Sequence, residues 1–298
     1  MRVFVLGATG WIGSAITDSL LASRHQVMGL ARRPDAIATL EAKGVAVVQG
    51  NLSNPEVVSQ VAQQADAVII ASSAPLGVTV VALKVLIAAL QETQKPLIYI
   101  SGSSLYGDIG NQEQVHERVF VHRLATEPAM HQSPEQIVYQ AKEQGIHGMI
   151  VIGAGILYGR AGGATPTFWL SDAMQRGVAW FIGGGAQRWS AVHVDDLARL
   201  TVLALEQRPA RRVFNAVAES LALREAAELI AQATNVPGGV RGITEEAARK
   251  VWAPFWATIL AGNLWLSSTQ AEHDLGWKLL APSFKEDLLY GSYRGGAH

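Results

Sequence analysis

The sequence contains no cysteine. Disulfides, thiolate nucleophiles and every cysteine-containing zinc site are thereby excluded, and the expected compartment is the reducing cytoplasm. An excess of either charge is also missing, since 24 basic residues face 25 acidic ones and only 16% of residues are charged. That balance carries no electrostatic footprint for wrapping nucleic acid or lying on an anionic membrane, so neither is expected as a partner. A bilayer-spanning run is the third absence. The longest uncharged stretch, Val251 to Ala271, contains Pro254 and Asn263 and ends in Ser267-Ser268-Thr269-Gln270, so it reads as buried or interfacial protein. The N-terminus does not read as a secretion signal, because Val3-Phe4-Val5-Leu6 runs straight into glycine as a buried strand does.

What is present is apolar. With 49% hydrophobic residues over 298 positions, the chain can bury a substantial core in one large domain or two unequal lobes. Residues 1–160 alternate strand-length apolar runs with helix-period segments, which predicts an α/β fold with a doubly wound parallel sheet of the Rossmann kind. The expected strands are Arg2-Leu6, Gln26-Leu30, Val45-Gln49, Ala67-Ala71, Leu97-Ser101 and Gly148-Ile152. Between them, Ile12, Ile16 and Leu20 recur at helical spacing, and Ser53-Asn54-Pro55-Glu56 is a helix start with proline just inside the cap. The glycine-rich stretch Gly155 to Gly163 marks a change of character. Residues 161–298 are expected to form mainly a smaller C-terminal substrate lobe, with a segment near 190–220 returning to the first domain. Seven of the eight tryptophans lie in that second part, where they suit either core and dimer packing or an aromatic-lined substrate pocket. The segment from Trp252 to Trp265 suits a pocket cover, the surface of a homodimer, or both.

The first predicted strand leads into Gly7-Ala8-Thr9-Gly10-Trp11-Ile12-Gly13 and then a helix. In such a strand-turn-helix, one glycine permits the tight turn, one admits a pyrophosphate to the backbone, and one lets helix and strand pack closely. The helix N-terminus adds N–H groups and a positive dipole end. The residues expected against a dinucleotide here are Gly7, Thr9, Gly10, Trp11, Ile12 and Gly13. An acidic residue about 20 positions further on normally holds the adenosine ribose 2′-hydroxyl. It is missing, and Arg32-Arg33 stands in its place. Guanidinium groups suit a 2′-phosphate through charge-assisted bonds, so NADP(H) is the expected cofactor; a solvated loop face is the plainer reading of the pair.

Further segments carry a resemblance to the short-chain dehydrogenase/reductase superfamily, in its extended and atypical branches, often labelled NAD-dependent epimerase/dehydratase. Gly50-Asn51-Leu52 resembles the family's Gly-Asp-Leu after the third strand, with Asn51 and Leu52 implied near the adenine. Ala71-Ser72-Ser73 resembles the end of the fourth strand, implied near the pyrophosphate and ribose. Ser101-Gly102-Ser103-Ser104-Leu105-Tyr106-Gly107 is similar to the segment that bears the active-site serine or threonine. Leu157-Tyr158-Gly159, Val192-His193-Val194-Asp195-Asp196-Leu197-Ala198, Phe214-Asn215-Ala216 and Asp274-Leu275-Gly276-Trp277 also fit, so the resemblance covers nearly the whole chain.

The family's catalytic tyrosine, with a lysine four residues later, is absent: no Tyr-x-x-x-Lys occurs. Counted back from the sixth strand, with Glu135 matching a glutamate that often follows the motif, the tyrosine position falls on Glu127 and the lysine position on His131. Ser133-Pro134-Glu135-Gln136 reads as a helix start, which leaves Glu127 and His131 in a loop. The candidates for catalysis are therefore Ser103 as polarising hydroxyl, with Ser101 and Ser104 as alternates, and three replacement proton donors. These are His131, Glu127 if its pKa is raised, and Tyr139 paired with Lys142 three residues on. His193, Asp195 and Asp196 read as a lobe junction and helix cap, and no metal site is proposed. The expected function is NADP(H)-dependent hydride transfer to or from a small, rather apolar carbonyl, imine or enone. The alternatives are a sugar-nucleotide epimerase or dehydratase, and a nonenzymatic NADPH-responsive binding protein.

Overall fold

The computed structural model describes residues 1–110 and 114–294. Seven parallel strands form the main sheet: β1 (Arg2–Leu6), β2 (Gln26–Ala31), β3 (Ala46–Gln49), β4 (Ala67–Ile70), β5 (Pro96–Gly102), β6 (His147–Gly153) and, far along the chain, β10 (Val213–Ala216). Their order across the sheet is β10-β6-β5-β4-β1-β2-β3. The six strands predicted from sequence all form, with ends displaced by one residue at most. Central strands are buried throughout, as a sheet covered on both faces requires. Helices α1 (Trp11–Ala22) and α8 (Val194–Gln207) pack together, as do α3 (Pro55–Gln64), α4 (Leu76–Leu90) and α6 (Pro134–Gln140).

The remaining strands, β7 (Ile156–Tyr158), β8 (Ala179–Ile182), β9 (Arg188–His193), β11 (Glu219–Ala222) and β12 (Val240–Ile243), make two small sheets, β11-β9-β7 and β12-β8. They pack with α7 (Ala164–Arg176) and α9 (Leu223–Thr234). The segment after helix Pro254–Ile259 runs extended beside β9 and against the loop that follows β5: Asn263 N–H donates to Asp108 at 2.8 Å, and Val115 N–H to the Trp265 carbonyl at 2.9 Å. No helix among the described residues is long and apolar enough to cross a membrane.

Of the seven late tryptophans, Trp169, Trp189, Trp252 and Trp277 are buried in the core, which favours the packing reading for those four. Trp189 donates to the Gly262 carbonyl and Trp277 to the Asp196 carbonyl. Half-buried Trp256 stacks on Phe168 at 4.4 Å, and buried Trp252 meets the same ring edge-on.

Candidate active site

Parallel strands end on one side, so the segments after β1, β2, β3, β4 and β5 share one edge of the sheet. The strand order reverses direction between β1 and β4, the switch point where dinucleotide crevices form in such sheets. The turn after β1 is built for close approach. Gly7 adopts φ +96°, and a Cβ there would stand 2.6 Å from the Ala71 carbonyl oxygen; a Cβ on Gly13 would stand 1.9 Å from the Gly7 oxygen. Gly10 N–H donates to the Gly7 carbonyl at 2.8 Å, and α1 then starts with no side-chain cap. The first-turn N–H groups of Trp11, Ile12 and Gly13 have no carbonyl one turn back to accept them, which leaves them for an anion. An uncapped helix start beside a turn that excludes Cβ atoms fits a dinucleotide pyrophosphate. Thr9 is exposed at the same turn. The Trp11 ring faces elsewhere, with its N–H donating to the Gly159 carbonyl at 3.1 Å.

Of the two arginines after β2, Arg33 is bound by Asp35 through two contacts of 3.2 and 3.1 Å. Arg32 is exposed and has no partner among the described residues. Asn51 accepts Ser53 N–H at 2.6 Å, which commits its oxygen to the local turn and leaves its amide nitrogen and Leu52 half-buried beside it. Ser72 accepts Ala74 N–H at 3.2 Å next to half-buried Ala71, while Ser73 is exposed.

The three serines after β5 have three different environments. Ser101 donates to Glu135 Oε1 at 2.9 Å, Ser104 is exposed, and Ser103 is 2% exposed with its Oγ buried and unpartnered. The turn holding Ser103 is pinned at two points. Tyr106 donates to Asn215 Oδ1 at 2.9 Å, and Arg123 donates to the Leu105 carbonyl at 2.6 Å. Asn215 is in turn fixed by buried Glu117, whose Oε1 accepts the Asn215 N–H at 2.9 Å.

The replacement donors are not gathered at this turn. Glu127 follows helix α5 (Glu117–Thr126), where Arg123 grips both its oxygens at 2.7 and 2.9 Å and holds its carboxyl below the usual range. An acid role for Glu127 would need a raised pKa, and the ion pair drives it the other way. His131 is exposed in the loop before α6, as the Ser133 cap implied; Ser133 accepts Gln136 N–H at 3.1 Å. Tyr139 corrects the sequence reading more sharply. Helix α6 runs away from the Ser101 edge, so that Tyr139 lies at the opposite edge, its ring under Arg212 at 4.1 Å and its carbonyl hydrogen-bonded to that arginine. Arg212 immediately precedes β10 and pairs there with Ile150. Ile150 stands three residues before Gly153, the partner of Gly102, so at about 3.3 Å per residue roughly 10 Å of strand separates it from the start of the Ser103 turn, beyond hydrogen-bond reach. Among the other tyrosines, burial raises the pKa of Tyr99, Tyr106, Tyr158 and Tyr293.

Two participants escaped the sequence reading. Glu135 was only a counting marker, yet it is the buried acceptor of Ser101. Arg123 was visible through its i,i+4 spacing to Glu127, but its grip on Leu105 depends on a tertiary contact. The cap of α8, expected from an aspartate, comes from His193, which accepts Asp195 N–H at 3.1 Å.

Residues 3–216 match the NAD dependent epimerase/dehydratase family. An uncharacterised protein of Schizosaccharomyces pombe is 30% identical over 98% of this chain and 100% of its own length. A 4-hydroxy-2-methyl-3-oxo-4-farnesyl-3,4-dihydroquinoline-1-oxide ketoreductase of Stigmatella aurantiaca is 24% identical over 89% of this chain and 81% of its own. Among solved structures, UDP-glucuronic acid 4-epimerase from Bacillus cereus, in complex with UDP-glucuronic acid and NAD, superposes with a TM-score of 0.73 at 19% identity, covering 98% of both chains. The chain belongs to the NAD dependent epimerase/dehydratase family, an extended branch of the short-chain dehydrogenases/reductases whose members bind a nicotinamide dinucleotide.

Proposed function

We propose that the protein is an NADP(H)-dependent oxidoreductase acting on a small, rather apolar carbonyl, imine or enone. The observation that carries this reading is the unpartnered Ser103 hydroxyl, buried at the cofactor edge in a turn whose nearest carboxylate, Glu135, is already taken by Ser101. Oxidising a sugar alcohol needs a base, and Glu127 is a bound carboxylate while four tyrosines are pushed away from neutrality. Reduction asks less of the protein: a hydroxyl donor to the acceptor oxygen, exclusion of bulk water, and a proton from water or from exposed His131. The bound cofactor would supply the hydride from the nicotinamide ring. Ser103 would orient and polarise the acceptor, and the Gly7–Gly13 turn would hold the pyrophosphate. Arg32, free and in the place of the ribose-binding acid, supports NADP(H) over NAD(H). The Stigmatella relative is named as a ketoreductase, which favours net reduction.

The test is label transfer from C4-deuterated NADPH to pooled aldehydes, ketones, imines and enones, read by mass spectrometry. Deuterium in a product is the expected result. Unlabelled products from a sample that binds NADPH, together with turnover of a sugar nucleotide, would replace this reading by internal redox chemistry.

A further inference from the structure

A cleft of about 680 Å³ lies at the β10 edge of the sheet, with three strands between β10 and the β1 that leads into the glycine turn, and is bounded by α5, the end of α6 and the entry to β10. Five basic side chains line it: Arg118 and His122 from α5, Lys142, and Arg211 and Arg212. Among the described residues, Arg118, His122 and Lys142 have no side-chain partner. Arg211 is held by Asp274 at 2.6 Å, and Arg212 is pinned by the Tyr139 ring and carbonyl, so its guanidinium is oriented in advance. The one acid in the lining, Glu117, is 1% exposed, is committed to Asn215, and is held toward its neutral form by burial. In a chain with a net charge of −1, this is a local excess of cations converging from three elements on a cavity of small-molecule size.

We propose that this cleft binds a compact oligophosphate. Converging cations and a fixed guanidinium suit several phosphate oxygens at short range. One face of Tyr139 is already covered by Arg212, which removes that face as a stacking platform for a base and favours the phosphate chain itself over a nucleoside. The site is separate from the cofactor edge and does not depend on the proposed reductase activity.

The test is calorimetric titration of the full chain with sodium tripolyphosphate at low ionic strength, with citrate as a second titrant. The expected result is saturable tripolyphosphate binding, weakened at least about tenfold by Arg118→Glu with Lys142→Glu and unchanged by Arg32→Ala. Both reversed residues are exposed, and unchanged thermal unfolding verifies their fold; should the double variant unfold, Lys142→Gln alone is expected to weaken binding several-fold. Absence of saturable binding, equal affinity for citrate, or loss in Arg32→Ala in place of the cleft variants would each overturn the assignment. A failure of the reductase reading would appear in deuterium transfer and leave this titration unaltered.

Discussion

At the turn after β1, the groups offered to a cofactor are backbone N–H groups, presented by glycines that nothing larger can replace. At the turn after β5, the groups that the proposed reaction would use are side chains: one buried hydroxyl, with its neighbours held by Glu135, Asn215 and Arg123. The two turns lie on one edge of one sheet, yet only the second has lost family partners, the tyrosine and lysine whose places fall on Glu127 and His131. A backbone site depends on the whole fold, so altering it disturbs β1 and α1 together. A side-chain site can lose its tyrosine and lysine while the core beneath stays packed.

The sharpest way to break that contrast is Gly13→Ala. Its Cβ would press on the Gly7 carbonyl from 1.9 Å, and neither backbone segment can yield without separating α1 from β1. We expect a loss of about 3 kcal/mol in urea unfolding, with cofactor binding abolished in tryptophan-fluorescence titrations. Full stability would show that the turn is more pliable than its geometry implies. Next in size is Arg32→Ala, expected to weaken NADPH binding by about 10–100-fold while leaving NADH nearly unchanged. Equal losses for both cofactors would remove the 2′-phosphate assignment. Arg33→Ala should do less, because Asp35 already occupies that guanidinium.

The same division explains what could be read from sequence. Buried parallel strands leave continuous apolar runs, so all six early strands were legible, and the glycine turn was legible because its spacing is itself the chemistry. The placement of α6 was half legible. Ser133-Pro134 marks where the helix starts, and the structure has that cap, but where the helix then carries Tyr139 depends on how it packs beside β6. Gly148 shows the constraint: a Cβ there would reach within 2.0 Å of the Val138 carbonyl, so α6 lies hard against the start of β6 and Tyr139 ends up beneath Arg212. The pairing of Tyr106 with Asn215, 109 positions apart, has no local signal at all.

Ser103→Ala separates function from stability. An unpartnered buried hydroxyl costs desolvation and returns no hydrogen bond, so its removal should leave the unfolding midpoint unchanged or slightly higher. Reduction of the acceptor identified by deuterium transfer should fall by about 100-fold, the lower end of the loss typical of one polarising donor. A drop in stability with undiminished rate would make Ser103 a packing residue. A smaller effect is expected at His193, which belongs to neither turn and packs against Gly159. Burial lowers its pKa, with Arg199 and Arg160 acting in the same sense, although Asp195 and Asp287 pull upward. The unfolded chain therefore takes up this proton first. The stability contributed by the neutral ring is present above a pH of about 6.5 and declines as pH falls toward the folded-state value, by at most about 1.4 kcal/mol per pH unit. His193→Asn, which keeps a cap for α8, should flatten that part of the urea-unfolding profile; an unchanged slope would place the titration elsewhere, His147 being the other histidine held low by burial.

Glu127→Gln should have the smallest effect, and its smallness is informative. If the carboxyl standing in the tyrosine's place delivered the proton, removing it would erase the alkaline limb of the pH-rate profile, where that proton is lost. Arg123 holds both its oxygens and keeps it ionised, so it has no proton to give near neutrality. Its remaining service is mechanical, because the same guanidinium reaches the Leu105 carbonyl in the Ser103 turn. Glutamine keeps one acceptor for Arg123, so the expected variant retains the shape of the profile and nearly all of kcat, with any small change appearing in KM. Loss of the alkaline limb would return Glu127 to the catalytic set and show that the ion pair opens when substrate binds.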